Sequence, residues 1–124
     1  GVRKIFQAYK ANKIICIAAD QVPQEGMGEY IKLFNIDAYT TTLASSLVHK
    51  TQKPAVFICL NSFENNKLGV TIKPCRKDIY NESKYKLSLN KSIESLININ
   101  PKDYSWEYKR YKKLLSGENP YKDI

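Results

Sequence analysis

The hydrophobic positions follow helical spacing in some stretches of the chain and form unbroken runs in others. Residues 14–19 are all apolar or small, and residues 55–60 repeat that pattern directly after Pro54. Such runs are typical of strands buried on both faces, as the central strands of parallel sheets are. A helix is predicted over residues 2–12 from apolar side chains spaced i, i+3, i+4 and i+7. These side chains are Val2, Ile5, Phe6 and Tyr9.

The segment between the two apolar runs predicts a long crossover connection. Residues 21–37 contain Pro23 and two glycines and predict an irregular segment, after which a helix should run to about Gln52. A strand, a connection with a helix and a second strand make a βαβ unit, whose crossover is almost always right-handed. Residues 68–72 alternate apolar and polar side chains, which predicts an edge strand antiparallel to residues 55–62.

The last third of the chain predicts two further helices and a loop. Apolar side chains at helical spacing predict a helix over residues 85–97, and tyrosines at the same spacing predict another over residues 102–114. Residues 116–124 predict a loop. The fold class is therefore α/β, with one domain over residues 1–124 and a mixed sheet. The hydrophobic content of 43% is enough for a core.

The composition limits the kinds of partner and compartment. A net charge of +8 predicts an anionic partner, which is nucleic acid, an acidic carrier protein or an anionic membrane surface. The cysteines Cys16, Cys59 and Cys75 are widely spaced, which argues against a disulfide framework and favours a reducing compartment. No apolar run approaches the length of about 20 residues that crosses a bilayer.

Asp20 is the first candidate for chemistry because it directly follows the apolar run at residues 14–19. The last side chain of a buried strand reaches the rim where open α/β sheets bind ligands. Aspartate in such a position also caps helices and turns, so both interpretations stay open. His49, the single histidine, is interpreted as part of a solvated helix end. Its pairing with a nucleophilic cysteine is disfavoured, because Cys16 and Cys59 lie in the apolar runs.

The predicted helix over residues 102–114 mixes aromatic and basic side chains. This mixture suits nucleic acid, a membrane interface or phosphate groups. The alternative is a tyrosine stripe facing the core with a solvated basic face. Glycine-rich phosphate loops, Gly-x-Ser-x-Gly elbows, His-Glu-x-x-His zinc motifs and the aromatic motifs of RNA binders are absent from the sequence.

Several short motifs stand in a fixed order along nearly the whole chain. The most specific are Asp20-Gln21 after the apolar run and the ending Asn100-Pro101-x-x-Tyr104-x-Trp106-x-x-x-Arg110-Tyr111-Lys112. Leu33-Phe34, Ala38-x-Thr40 and Pro54-Ala55-Val56-Phe57 stand between them. In this order the motifs resemble the C-terminal half of the bacterial lipid A late acyltransferases, the lauroyl and myristoyl transferase family.

The resemblance implies an α/β/α sandwich like the glycerolphosphate-acyltransferase fold. The implied reaction moves a fatty acyl chain from acyl carrier protein, or from CoA, to a hydroxyl of a lipid A precursor, without a cofactor or metal ion. The implied place is the cytoplasmic face of the bacterial inner membrane. The implied partners are acyl carrier protein, the lipid A precursor and the anionic membrane surface, with no nucleic acid. A nucleic-acid-binding module and a non-catalytic anionic-lipid-binding domain are the alternatives.

Family chemistry uses a His-x-x-x-x-Asp/Glu motif, in which the histidine is the general base. This sequence lacks the motif, since Pro54 stands five residues after His49. The chain therefore resembles the second half of the enzyme, and the missing N-terminal half of the same protein is an expected partner. Asp20 matches the acidic residue near that histidine and is the expected catalytic residue. The expected substrate contacts are Gln21, Phe34, Thr40, Arg110 and Lys112.

Two residues depart from the family pattern. Asn35 stands where the family usually has glycine after phenylalanine, so the turn there is expected to differ. Tyr108 stands where histidine is frequent, which removes one candidate hydrogen-bond donor. The segment from Tyr30 to Tyr39 is expected to wall an apolar groove for the lipid donor.

Overall fold

The computed structural model describes residues 1–123, which form three α-helices and two separate β-hairpins. The helices are Val2–Lys10 (α1), Leu43–Thr51 (α2) and Tyr85–Ile97 (α3). The strands are Gly28–Leu33 (β1), Ile36–Thr41 (β2), Val56–Phe63 (β3) and Lys67–Pro74 (β4). The α/β class, the three helices and the second hairpin agree with the sequence. Both sheets are antiparallel, so the predicted mixed sheet is absent from the described residues.

The apolar run at residues 14–19 pairs with no strand of the described chain, so the predicted buried strand and its βαβ crossover are wrong. Burial alternates along the run as in an extended chain: Ile14 is 92% exposed and Cys16 is exposed, whereas Ala19 is buried. A strand is stable only where neighbours satisfy its backbone N–H and C=O groups. Residues 1–123 supply no such neighbour to this run.

A hairpin occupies much of the segment that was predicted to be irregular. β1 and β2 are joined by Phe34 and Asn35, whose φ angles of 48° and 65° lie in the left-handed region. Two-residue hairpin turns of this kind match the twist of the strands and favour asparagine or glycine. Asn35 therefore adopts the backbone conformation that a glycine would adopt at this position.

The core lies where the first hairpin packs against α2 and α3. Its most buried members are Leu33, Ala38, Ile79 and Leu89, each at most 2% exposed. Asn90 on α3 is fully buried, and its side-chain amide donates to the carbonyl of Lys32 at 3.1 Å. Burial of apolar area and the hydrogen bonds donated by the Asn90 side-chain nitrogen together fix the hairpin on the helices.

The second hairpin is covered on one face only, which corrects the prediction that its first strand is buried on both faces. Six apolar side chains on the other face are each more than half exposed. They are Val56, Ile58, Leu60, Leu68, Val70 and Ile72. Contiguous apolar surface of this kind marks an interaction site on a soluble domain.

The helix predicted over residues 102–114 is wrong. The chain instead makes short 3₁₀ turns at Pro101–Asp103 and Trp106–Tyr108, and Lys109 follows with a left-handed φ of 58°. A lysine in that conformation ends a helix rather than continuing it. The loop predicted over residues 116–124 is present through residue 123, and Ile124 lies outside the described residues.

Candidate functional site

An open cavity of about 940 Å³ lies between residues 13–20 and β3. Ligand pockets commonly measure about 300–1,000 Å³. Most of the lining is apolar and comes from the unpaired run, β3, α2 and α3. The segment from Tyr30 to Tyr39 does not contribute to this lining, contrary to expectation, because it forms the first hairpin on another side of the core.

Polar side chains gather where the unpaired run and β3 end. Asp20 ends the run, Asn61 lies near the end of β3, and both line the cavity. Asn100, Asp103 and Tyr104 line it as well. The end of the cavity at residues 100–104 is therefore polar and acidic, with two carboxylates.

Segment 100–104 is fixed on the end of β3 by hydrogen bonds. The Asp103 carboxylate accepts from the N–H of Ser62 at 2.7 Å and from its hydroxyl at 2.6 Å. The side-chain amide of Asn100 donates to the carbonyl of Ser62 at 3.3 Å. The hydrogen bonds from Ser62 lower the pKa of Asp103.

Asp20 is half-buried, and the chain next to it is held on both sides. Ala19 before it is buried in the core, and the N–H of Val22 after it donates to the Tyr108 hydroxyl at 2.8 Å. Within residues 1–123 the Asp20 carboxylate has no hydrogen-bond or salt-bridge partner. It is a positioned carboxylate at a cavity wall rather than a cap. Gln21 beside it is exposed.

Tyr104 is a candidate site residue that the sequence reasoning missed. Its hydroxyl is buried and has no hydrogen-bond partner among the described residues. Burial, followed by the nearby Asp20 carboxylate, raises the pKa of Tyr104 to about 12. The phenol is therefore neutral near pH 7 and can donate a hydrogen bond into the cavity. Its only signal in the sequence was its place in the Asn100-Pro101-x-x-Tyr104 motif.

Three of the expected substrate contacts bind the protein itself. Arg110 is 3% exposed, and its guanidinium donates to the carbonyl of Tyr39 at 2.9 Å and to the Thr40 hydroxyl at 2.8 Å. Thr40 is fully buried, and Phe34 packs against the core. Burial lowers the pKa of Arg110, whereas the nearby tyrosines and Asp20 act in the opposite direction.

Lys112 is exposed, and its ammonium lies 5.1 Å from the ring centroid of Tyr108. Lys113 lies over the Tyr39 ring at 5.3 Å in the same way. These cation–π contacts hold basic side chains along the protein surface. With the helix over residues 102–114 absent, the continuous basic helix behind the nucleic-acid alternative does not form.

His49 is not the solvated helix end that the sequence indicated. Its side chain is 17% exposed, its Nε2 atom pairs with the Glu82 carboxylate, and its ring stacks on Tyr85 with centroids 4.5 Å apart. His49 does not line the cavity. Its contacts join α2 to the start of α3, which is a structural role.

Cys75 lines the cavity, and burial raises the pKa of its thiol from 9.0 to about 11. We expect iodoacetamide at pH 8 to alkylate Cys75 far more slowly than the exposed Cys16, because the reactive thiolate is roughly one hundred times scarcer than at an ordinary cysteine. The pKa of the Cys75 thiol is higher in the folded chain than in the unfolded chain. The stability that the neutral thiol contributes is therefore fully present below about pH 9. It is lost as pH rises through about 11.

Mass spectrometry of peptides after timed alkylation would measure both rates. The same reaction in denaturant is the control, since unfolding should bring the two rates together. Equal rates in the folded chain would contradict the partly buried position of Cys75.

Among residues 1–123, no group of three or more histidine, cysteine, aspartate or glutamate side chains is placed to bind a metal ion. None of the described helices is both long enough and apolar enough to cross a membrane.

Comparison with known proteins identifies the family of the chain. A comparison with curated protein sequences gave no match. The family model of bacterial lipid A biosynthesis acyltransferases matches residues 1–113, which include Asp20, Tyr104, Arg110 and Lys112. The chain therefore belongs to the bacterial lipid A biosynthesis acyltransferase family.

Proposed function

We propose that the chain is the C-terminal part of an enzyme that moves a fatty acyl chain from acyl carrier protein, or from CoA, to a hydroxyl of a lipid A precursor. Membership of the acyltransferase family supports acyl transfer. The observation that carries the assignment of the site is the unpartnered Asp20 carboxylate at the polar end of an open apolar cavity. A carboxylate in this position is free to act on another group.

In the proposed reaction the acceptor oxygen attacks the thioester carbonyl carbon and the carbon–sulfur bond breaks. A histidine general base takes the acceptor proton, which then passes to the leaving thiolate. This histidine belongs to a His-x-x-x-x-Asp/Glu motif on the N-terminal half of the protein, outside these 124 residues. Asp20 orients this histidine and stabilises its protonated form, as a carboxylate does beside a catalytic imidazole.

The remaining expected contacts divide into two groups. Gln21 and Lys112 are exposed and bind the acceptor, with Lys112 meeting its phosphates. Arg110, Thr40 and Phe34 act indirectly, by holding the first hairpin against the segment that carries Tyr104.

The proposed setting is an α/β/α sandwich at the cytoplasmic face of the bacterial inner membrane. The uncovered apolar face of the second hairpin supports a further layer of helices from the N-terminal half, since such a face is stable only when covered. The charge of +8 suits both acyl carrier protein and anionic lipid head groups.

The test is reconstitution of the enzyme from this chain and the polypeptide encoded before it. Transfer of a labelled acyl chain from acyl carrier protein to a lipid A precursor should appear only when both are present. Absence of a His-x-x-x-x-Asp/Glu motif from that polypeptide, or absence of transfer by the pair, would refute the proposal. Sedimentation of this chain with anionic liposomes and no transfer would favour the lipid-binding alternative.

A further inference from the structure

The cavity is bounded on two sides by main chain that lacks a hydrogen-bonding neighbour. β3 pairs with β4 on one side only, and residues 14–19 pair with no strand in the described chain. Backbone N–H and C=O groups demand partners when apolar surface around them is buried. An acyl chain in the cavity would leave these groups unsatisfied, whereas a polypeptide strand would pair with them.

The register of the second hairpin shows which backbone groups face the cavity. The N–H of Cys75 donates to the carbonyl of Ala55 at 3.0 Å, so hydrogen-bonded pairs fall at the odd-numbered residues of β3. The N–H and C=O groups of Val56, Ile58 and Leu60 therefore point to the unpaired edge. Ser62 agrees with this alternation, since its N–H and C=O bind Asp103 and Asn100 rather than β4.

The unpaired run and β3 extend in the same direction along the cavity. Their starts are joined, because the Lys53 ammonium binds the Asn12 side chain and the Tyr9 hydroxyl donates to the carbonyl of Pro54 at 2.7 Å. Their ends lie near the same segment, residues 100–104, since Ser62 at the end of β3 binds Asp103 and Asp20 at the end of the run interacts electrostatically with Tyr104. Two strands that share a direction and leave a gap between them have the arrangement of a parallel sheet that lacks one strand.

The charges at the two ends of the gap differ in sign. Lys13 and Lys53 line the cavity where the two segments start, and Asp20 and Asp103 line it where they end. A strand that runs in the same direction would complement these charges if a carboxylate preceded it, near the two lysines. A proton-accepting or cationic side chain should follow it, near the two aspartates. A second copy of this chain is a poor occupant, because two domains of charge +8 repel each other.

We propose that an apolar strand of about five residues, from the polypeptide that carries the general base, inserts between residues 14–19 and β3. It runs parallel to both and pairs with the edge groups of Val56, Ile58 and Leu60. Its carboxyl end then stops at Ser62, whose groups are already bound, beside Asp20 and Tyr104. The inference rests on the proposed function, because it takes the histidine base to come from the N-terminal half of the protein. The inserted strand would bring that histidine to Asp20.

The test is amide hydrogen exchange on this chain, measured by NMR with a synthetic strand as probe. The probe is a blocked peptide of a glutamate, about five alternating valine and isoleucine residues, and a histidine. We expect it to slow exchange of the Ile58 and Leu60 amides by at least about tenfold. The amides of Val70 and Ile72, on the outer edge of β4, should not change. A peptide with the charged ends exchanged should protect less.

The hairpin offers a matched pair of variants, since Ile58 and Ile72 lie directly opposite each other. Ile58→Pro removes an edge N–H that faces the cavity, and Ile72→Pro removes one that faces away. Ile58→Pro should abolish the protection of Leu60, whereas Ile72→Pro should retain it. Exchange at the Phe57 and Cys59 amides, which pair with β4, reports whether the hairpin is intact in each variant. If a variant fails to fold, the peptide experiment on the unmodified chain still tests the inference.

Three results of the peptide experiment would overturn the inference. They are no protection of Ile58 and Leu60 at about millimolar peptide, protection of the outer edge of β4, and displacement of the peptide by laurate. Protection that rises with chain concentration in the absence of peptide would assign the edge to a second copy and would also overturn it. None of these measurements uses acyl transfer. A chain that does not bind the strand can therefore be distinguished from an enzyme that does not transfer an acyl group.

Discussion

Asp20→Asn should lower acyl transfer by the reconstituted enzyme at least about 100-fold. The substitution removes the charge that would orient and stabilise the histidine base. It breaks no hydrogen bond or salt bridge within residues 1–123, because the carboxylate has no such partner there. The free energy of unfolding should therefore change by no more than about 0.5 kcal/mol. Single-turnover transfer and urea denaturation would measure the two quantities.

Asp78→Asn is the matched control for this change. Asp78 is a surface carboxylate paired with Arg76 and lies outside the cavity lining. Its substitution should leave transfer unchanged. If Asp20→Asn keeps full transfer, or loses stability in step with activity, Asp20 is not a catalytic residue.

Arg110→Leu should lower the free energy of unfolding by about 2–4 kcal/mol. The side chain is 3% exposed, and two of its nitrogen atoms donate to β2. Leucine retains apolar volume but leaves the carbonyl of Tyr39 without its charged donor. Hydrogen bonds to charged groups are the stronger ones in proteins. The loss would also weaken the attachment of the segment that carries Tyr104 to the first hairpin, which the Tyr111 hydroxyl, bound to the carbonyl of Leu33, would still hold.

Lys112→Leu tests the same loss of positive charge two residues along the chain. Lys112 is exposed and its ammonium lies over the face of Tyr108, so its replacement should cost less than about 0.5 kcal/mol. Chemical denaturation of both variants under one set of conditions gives the comparison. Equal losses would mean that Arg110 is not the anchor its buried hydrogen bonds indicate.

The elements that the sequence predicted correctly depend on local periodicity. The helices α1, α2 and α3 and the turn between β3 and β4 need little beyond side-chain spacing and turn chemistry. The run at residues 14–19 has the pattern of a buried strand, but its burial depends on neighbours that residues 1–123 do not provide. The helix over residues 102–114 failed for the opposite reason, since tertiary burial of Arg110 outweighed a helical tyrosine spacing.

The candidate site was only partly readable from the sequence. Asp20 was found because a carboxylate after an apolar run is a local feature. Tyr104 was missed because the absence of a partner for its hydroxyl appears only when the whole core is assembled. The burial of Thr40 depends likewise on α3 and on residue 110, far along the chain. Spacing alone does not report such contacts.

The two long edges of the second hairpin differ in how they resist association. β4 begins with Lys67 and ends with Lys73 and Pro74, and charges and prolines of this kind discourage further strand pairing. β3 carries neither a charge nor a proline within its bounds. The outer edge of β4 is therefore protected against further strand pairing, whereas the outer edge of β3 is open to it. Strand pairing through the hairpin stops after one strand is added at β3, so it favours a finite complex over fibre formation.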